Sequence, residues 1–275
     1  MVKTVIHSLS DQPTVFHITH QKAGSQWVRE ILKYSAPERF VPQQLHNQQL
    51  TQQAVQPGKV YAAVYMNRSQ FLLLLDPFNA KIAWSDFFKS PGIYLQNWFH
   101  FAVQEKPYRC VTVVRDLRDT LVSLYFSRRH SHPLLTKEHS EMREFLEVAS
   151  IDEGLLHLMH TELVPIAQIQ TTWIRHPGLL IRYEELIEDA QNCFYRMIQY
   201  CEIKISQKEL GMIVDNNLFE NATGRARGME ETSSHLRKGI SGDWKNYFSP
   251  MIVDEFKRKF GDVLIQTGYE SGLVW

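Results

Sequence analysis

His17-Ile18-Thr19-His20-Gln21-Lys22-Ala23-Gly24-Ser25-Gln26-Trp27 decides how this chain is read. An apolar strand, Thr14 to His20, runs into a short loop that carries a lysine, a glycine and a hydroxyl. Trp27, Val28, Ile31 and Leu32 then recur at helical spacing, so a helix is expected over 25–34. Strand, small-residue loop and helix together cradle an anion, because loop N–H groups and the positive end of the helix dipole converge on it. In a Walker A loop the lysine follows the second glycine and directly precedes Ser or Thr. Here Lys22 precedes Gly24, which argues against an ordinary ATPase or GTPase.

The rest of the composition sets bounds. A chain of 275 residues, 44% hydrophobic, can bury one substantial core or two small ones. Thirty basic residues balance thirty acidic ones, which gives no support for a nucleic-acid partner and leaves anion recognition to local charge. Cys110, Cys193 and Cys201 lack metal-ligand spacing and read as reduced, buried thiols, with no metal site implied. Met1 to Asp11 lacks a long apolar stretch, and the longest aliphatic run, Phe71 to Leu75, is far too short to span a bilayer. The expectation is a soluble, cytoplasmic protein without a transmembrane segment.

Four β-like runs stand out: Thr14–His20, Val60–Tyr65, Arg109–Arg115 and Leu179–Tyr183. Helical patterns follow three of them, over 25–34, 118–128 and 184–200. That alternation predicts a parallel sheet flanked by helices. Further helices are expected over 152–174 and 206–216, the second opening on the capping box Ser206-Gln207-Lys208-Glu209, and a last one from Ser249-Pro250. The glutamine-rich stretch 43–56 reads as a surface connection, and Asn221 to Gly242 as a long loop.

Two more stretches carry chemistry. A buried strand ends in Arg115-Asp116-Leu117-Arg118-Asp119, with Ser123 two helical turns on. Ligands gather at the carboxyl ends of such strands, and an arginine fork with a hydroxyl suits a phosphate. Taken alone, Arg115 is as readily a structural ion-pair partner of Asp116 or Asp119. Further on, Leu236-Arg237-Lys238-Gly239-Ile240-Ser241-Gly242-Asp243-Trp244-Lys245 offers two cations beside a glycine that permits close approach. Alone it reads as a solvated surface loop.

Together these stretches resemble the PAPS-dependent sulfotransferases. That family has a phosphosulfate loop written roughly Tyr-Pro-Lys-Ser-Gly-Thr-Thr-Trp, matched by His20 to Trp27, and an Arg and a Ser eight apart, matched by Arg115 and Ser123. It has a Tyr-Glu-Asp/Glu-Leu segment, matched by Tyr183 to Leu186, and an Arg-Lys-Gly-x-x-Gly-Asp-Trp-Lys segment, matched without a gap by Arg237 to Lys245. The resemblance implies an α/β, P-loop-like three-layer fold with a central parallel sheet flanked by helices. It implies one sulfotransferase domain over 1–275, with an aromatic-rich insertion at about 69–105.

The same resemblance implies that Lys22, Ala23, Gly24, Ser25, Gln26 and Trp27 bind the 5′-phosphosulfate of the donor PAPS. Arg115, Ser123, Arg237, Lys238 and Gly239 would hold its 3′-phosphate. Tyr183 would approach the adenine, with Trp27 and Phe219 packing on its faces and Asn217 contacting the adenosine. Trp27 is as readily a core residue. The implied reaction moves a sulfuryl group from PAPS to a hydroxyl or amine of a small-molecule acceptor, with PAP as product and no metal. Lys22 would stabilise charge on the departing nucleotide.

The family's usual histidine base, in a Thr-His-Leu-Pro context, is missing from Val60 to Arg68. His100 and His20 are the candidate substitutes, with Glu30 a carboxylate option. The rival functions are a P-loop kinase of small molecules and a non-catalytic PAPS- or PAP-binding protein. Tyr61 to Phe101 holds 11 aromatic residues in 41 positions and suits either a lid over an apolar acceptor or ordinary packing. The family's dimer motif is only echoed between Lys245 and Asp254, where Pro250 replaces a valine, so the oligomeric state stays open.

Overall fold

The computed structural model describes residues 11–80, 88 and 90–275. The chain start up to residue 10, and positions 81–87 and 89 of the aromatic-rich segment, lie outside the described residues. Five parallel strands form one sheet: β1 (Thr14–Thr19), β2 (Phe40–Val41), β3 (Val60–Val64), β4 (Tyr108–Val114) and β5 (Leu179–Arg182). Their order is β2-β3-β1-β4-β5, so β1 lies at the centre and all six of its residues are buried. A strand buried on both faces needs apolar residues at odd and even positions alike, which is why β1 reads as a run rather than an alternation.

The two faces separate cleanly. Val15, Val60, Ala62, Val111, Val113 and Ile181 pack against Val28, Ile31, Leu32, Phe194 and Met197 on one side. Phe16, Ile18, Tyr61 and Cys110 pack against Phe71, Phe101 and Trp173 on the other. A third apolar cluster joins Leu117, Leu121, Leu155, Met159, Phe256 and Phe260 of three helices. The result is a three-layer α/β arrangement with every strand's carboxyl end on one rim.

The expected helix over 184–200 is two helices, Tyr183–Glu188 and Ala190–Tyr200, broken where the Asp189 side chain caps the second through Asn192 N–H. The expected span 152–174 likewise divides into Ile151–Thr161 and Leu163–Trp173. Arg68–Leu75, Pro91–Trp98, Lys137–Val148 and Phe219–Thr223 are helices that the sequence pattern did not announce. Glutamine-rich 43–56 is not merely a surface connection, since Gln49, Leu50 and Val55 are fully buried. Several aromatics of the 61–101 segment, Tyr61, Phe71 and Phe101 among them, pack into the core against Phe16 and Trp173.

All three cysteines are free and buried. Burial pushes the Cys110 and Cys193 thiols upward and Cys201 up to about 12, so they are inert packing groups. Among the described residues no helix is long and apolar enough to cross a membrane.

Candidate active site

The loop between β1 and the helix Ser25–Ser35 bends twice through left-handed backbone, at Lys22 (φ 68°) and Gly24 (φ 77°). The glycine is needed for a second reason: a Cβ there would lie 2.9 Å from the Tyr183 ring. Gly24 is the N-cap and supplies no side-chain cap, so the first N–H groups of the helix, from Ser25 on, have no intrahelical acceptor. Successive unpaired N–H groups around a left-handed turn form a concavity for an anion.

Lys22 carries the loop's charge. It forms no salt bridge among the described residues. Desolvation, and then the cations Arg115, Arg128 and Arg237, push its ammonium down to about 8. An ammonium surrounded by other cations wants an anion, and none of the described residues pairs with it.

Arg115, just past β4, gathers the motifs. Its guanidinium donates to the Lys22 carbonyl at 3.1 Å and to the Ile240 carbonyl of the Arg-Lys-Gly segment at 3.1 Å. It lies over the Tyr183 ring at 4.5 Å and stands 3.9 Å from Asp119. Among the described residues its Nε is buried without a hydrogen-bond partner. The loop, the strand–helix unit, the tyrosine segment and the basic segment therefore meet around one side chain. Ser123 lies half-buried farther along the helix Leu117–Phe126.

Gly239 (φ 68°) abuts Phe219 so closely that a Cβ would fall 2.7 Å from its ring. Arg225 lies over the other part of this wall, 5.2 Å from the Phe219 centroid, and donates to the carbonyls of Met229, Leu236 and Arg237. Arg225 thus holds the long loop in shape, a role its loop sequence did not reveal. Asn217 spends its amide on the Ile213 carbonyl at the end of its own helix. Trp27 packs edge-on against Phe194 at 5.3 Å, which is core packing, and its Nε1 is buried without a hydrogen-bond partner among the described residues.

Arg237 and Lys238 are not free cations. Asp243, only 2% exposed, pairs with Arg237 and with Lys238 at 2.6 Å, and Glu230 pairs with Arg237 as well. Arg237 also lies over Phe126 at 4.4 Å. These acids hold both basic groups above their ordinary values, and the cations hold the Asp243 carboxyl below its own.

The two histidine candidates are not placed as a base needs to be. His20 is fully buried, with Nδ1 on the Gln21 carbonyl at 2.9 Å and Nε2 taking the Arg115 N–H at 3.3 Å. Both ring nitrogens are committed to backbone, and burial pushes its imidazole down to about 4, so it bolts β1 to β4. His100 precedes β4. Its carbonyl accepts Lys106 N–H, and its ring packs beside Phe101, itself 6.0 Å from Tyr108 at the start of that strand. Seven strand residues, about 20 Å, separate that end from the Arg115 rim. Glu30 pairs with Arg29 and Lys33 at 3.1 and 3.2 Å.

Sequence reading missed other polar neighbours of Lys22. Desolvation and nearby cations, Lys22 included, push His132 and His235 down to about 4. The His132 ring stands edge-on to His139 at 4.8 Å. Arg128 is clamped by Glu162 at 2.8 and 2.7 Å and reaches Gln21 at 3.5 Å. Glu184, beside Tyr183, accepts Asp116 N–H and the Tyr269 hydroxyl at 3.2 and 2.9 Å, which fixes the tyrosine segment to the end of β4.

The family model described as "Sulfotransferase domain" matches residues 12–268. Sulfotransferase 2A1 of Macaca fascicularis is 31% identical over 91 residues, 30% of this chain and 32% of the relative. Cytosolic sulfotransferase 11 of Arabidopsis thaliana is 25% identical over 203 residues, 68% of this chain and 56% of the relative. This chain therefore spans about a third of the first relative's length and little more than half of the second's. The crystal structure of mouse sulfotransferase SULT7A1 complexed with PAP superposes with a TM-score of 0.58 at 16% identity, covering 94% of this chain and 86% of that one, which shows a shared fold. With its domain match covering nearly the whole chain, this protein belongs to the sulfotransferase domain family.

Proposed function

We propose that this chain is a cytoplasmic PAPS-dependent sulfotransferase that moves a sulfuryl group to a hydroxyl or amine of a small-molecule acceptor. The observation that carries the reading is Arg115, which touches the Lys22 loop, the Tyr183 ring and Ile240 of the basic segment at once. A donor with charge at two ends needs two anion sites joined by an aromatic wall, and the contacts of Arg115 with the Lys22 loop, the Tyr183 ring and the basic segment suit that need. The unpaired Lys22 ammonium, the loop N–H groups and the partnerless Arg115 Nε suit such an anion. We further propose that residues 1–275 form one catalytic unit, with the segment at about 69–105 as its insertion.

In this reading Lys22, Ala23, Gly24, Ser25, Gln26 and Trp27 hold the phosphosulfate end. Arg115, Ser123, Arg237, Lys238 and Gly239 hold the 3′-phosphate, and Tyr183 and Phe219 flank the base. PAPS supplies an activated sulfuryl group. Transfer is in line through a loose transition state, where positioning and electrostatics carry most of the rate. Lys22 meets the charge that builds on the leaving oxygen. In this reading His20 and His100 take no part in proton transfer, since His20 commits both ring nitrogens to backbone and His100 lies beside the start of β4, away from Arg115.

A P-loop kinase is disfavoured because Ala23, not Ser or Thr, follows Lys22. Calorimetry with PAP beside ATP tests the donor. PAP is expected to bind at least about tenfold more tightly, since each charge-assisted contact to the 3′-phosphate is worth about 1.5–3 kcal/mol. Equal or tighter binding of ATP would contradict the reading.

A further inference from the structure

The end of β3 is built with unusual effort. The β1–β3 register shifts between Phe16 and Ile18, and Ala63 sits in left-handed backbone at φ 54°. For a residue with a Cβ that conformation costs about 1–2 kcal/mol. It is held in place from both sides: Ala63 N–H donates to His17 Nδ1 at 3.2 Å, and its carbonyl accepts the Gln43 amide at 3.4 Å. Two residues on, Asn47 brackets Tyr65, accepting its N–H and donating to its carbonyl, each at 3.0 Å. Asn47 is itself left-handed, at φ 58°.

The product of this construction is one contact. The half-buried Tyr65 side chain reaches the phosphate-cradling loop, and its hydroxyl donates to Ser25 Oγ at 3.0 Å. An irregularity beside a site re-aims a side chain, and strain survives where the surroundings over-determine it. Tyr65 stands in the stretch Val60 to Arg68, which has no histidine.

Resting on the sulfotransferase reading, we propose that Tyr65 and Ser25 form a proton relay that takes the place of a histidine base. As the acceptor oxygen bonds to sulfur, its proton passes to Tyr65 Oη. The Tyr65 proton passes to Ser25 Oγ, and the Ser25 proton passes to the 5′-phosphate oxygen of the donor whose bond to sulfur breaks. One S–O bond forms and one breaks. Both hydroxyls end protonated as they began, and the acceptor's proton leaves on PAP. The departing phosphate gains charge as sulfur leaves it, so the final acceptor becomes basic when the proton must move.

The test compares wild type with Tyr65→Phe, Ser25→Ala and the double variant. Turnover is read as PAP formed from PAPS with a panel of phenols, alcohols, amines and sugars as acceptors, and PAP affinity by calorimetry. Tyr65→Phe is expected to lose on the order of 10²-fold in turnover, the scale of general acid–base catalysis, with PAP affinity within about twofold of wild type. The double variant is expected to turn over no more slowly than Ser25→Ala, because the two hydroxyls act as a unit. Turnover by Tyr65→Phe within about threefold of wild type overturns the relay, as does a loss in His132→Gln that Tyr65→Phe does not share. A wild-type protein that forms no PAP overturns the donor reading itself, which separates that failure from failure of the relay.

Discussion

Asp119 and Gly242, 123 residues apart, are joined by a hydrogen bond of 2.6 Å from the Gly242 N–H to Asp119 Oδ2. The other carboxylate oxygen takes Trp244 N–H at 3.0 Å. One buried carboxylate thus fixes the basic segment to the helix that begins beside Arg115. Burial raises its pKa, and Arg115 and the two N–H groups oppose that rise. Asp119→Ala is expected to destabilise the protein by about 2 kcal/mol, because two backbone donors lose their acceptor. It is also expected to weaken PAP binding by tenfold or more, since Arg237, Lys238 and Gly239 lose their anchor. Denaturant unfolding and calorimetry measure both.

Lys22→Met separates stability from function. The unliganded loop holds an ammonium against three other cations, so removing it is expected to raise the melting temperature of the free protein. The same change is expected to cut turnover by about 10²–10³-fold, the scale of losing one transition-state charge donor. A variant that melts lower and turns over normally would contradict both halves.

The pH dependence of donor binding has a defined sign. Lys22 loses its charge as pH rises through about 8 in the free protein. PAP affinity is therefore expected to fall above that value and to hold steady just below it. Lys22→Arg, which stays charged, is expected to move the fall to higher pH. Calorimetry on either side of pH 8 shows whether it moves.

Acid stability follows from the buried histidines. Burial puts His20 at about 4 and His17 at about 3 when folded, whereas the unfolded chain takes up protons near the ordinary value of 6.5. Between those values the unfolded state binds more protons, so stability present above 6.5 is lost as pH falls toward 4. The melting temperature is expected to fall through that window, and less steeply in His20→Asn. An unchanged slope in the variant would show that other groups carry the effect.

The contrast between what was legible and what was not has physical causes. The strand–loop–helix at His17 to Trp27 and the rim position of Arg115 were legible because each is local: an apolar run, a loop signal and a helical period. The role of Arg115 as the meeting point of four segments was only half legible, since its contacts are with residues far along the chain. His100 looked placed because it stands fifteen positions before Arg115. Sequence distance does not say which end of an intervening strand a residue occupies, and β4 carries the chain away from it. Tyr65 was invisible as a site residue because its direction depends on a register shift and on Asn47, in a stretch read as a mere connection. The pairing of Arg237 and Lys238 with Asp243 was written in the motif, but composition counts charges without saying which are already neutralised.

The most direct measurement is incubation with sulfur-labelled PAPS and a panel of phenols, alcohols, amines and sugars, for wild type and Lys22→Met. The account predicts a labelled acceptor and one equivalent of PAP from wild type, with both reduced at least about 10²-fold in the variant. PAPS bound and recovered intact with every acceptor, or equal product from the two proteins, would contradict it.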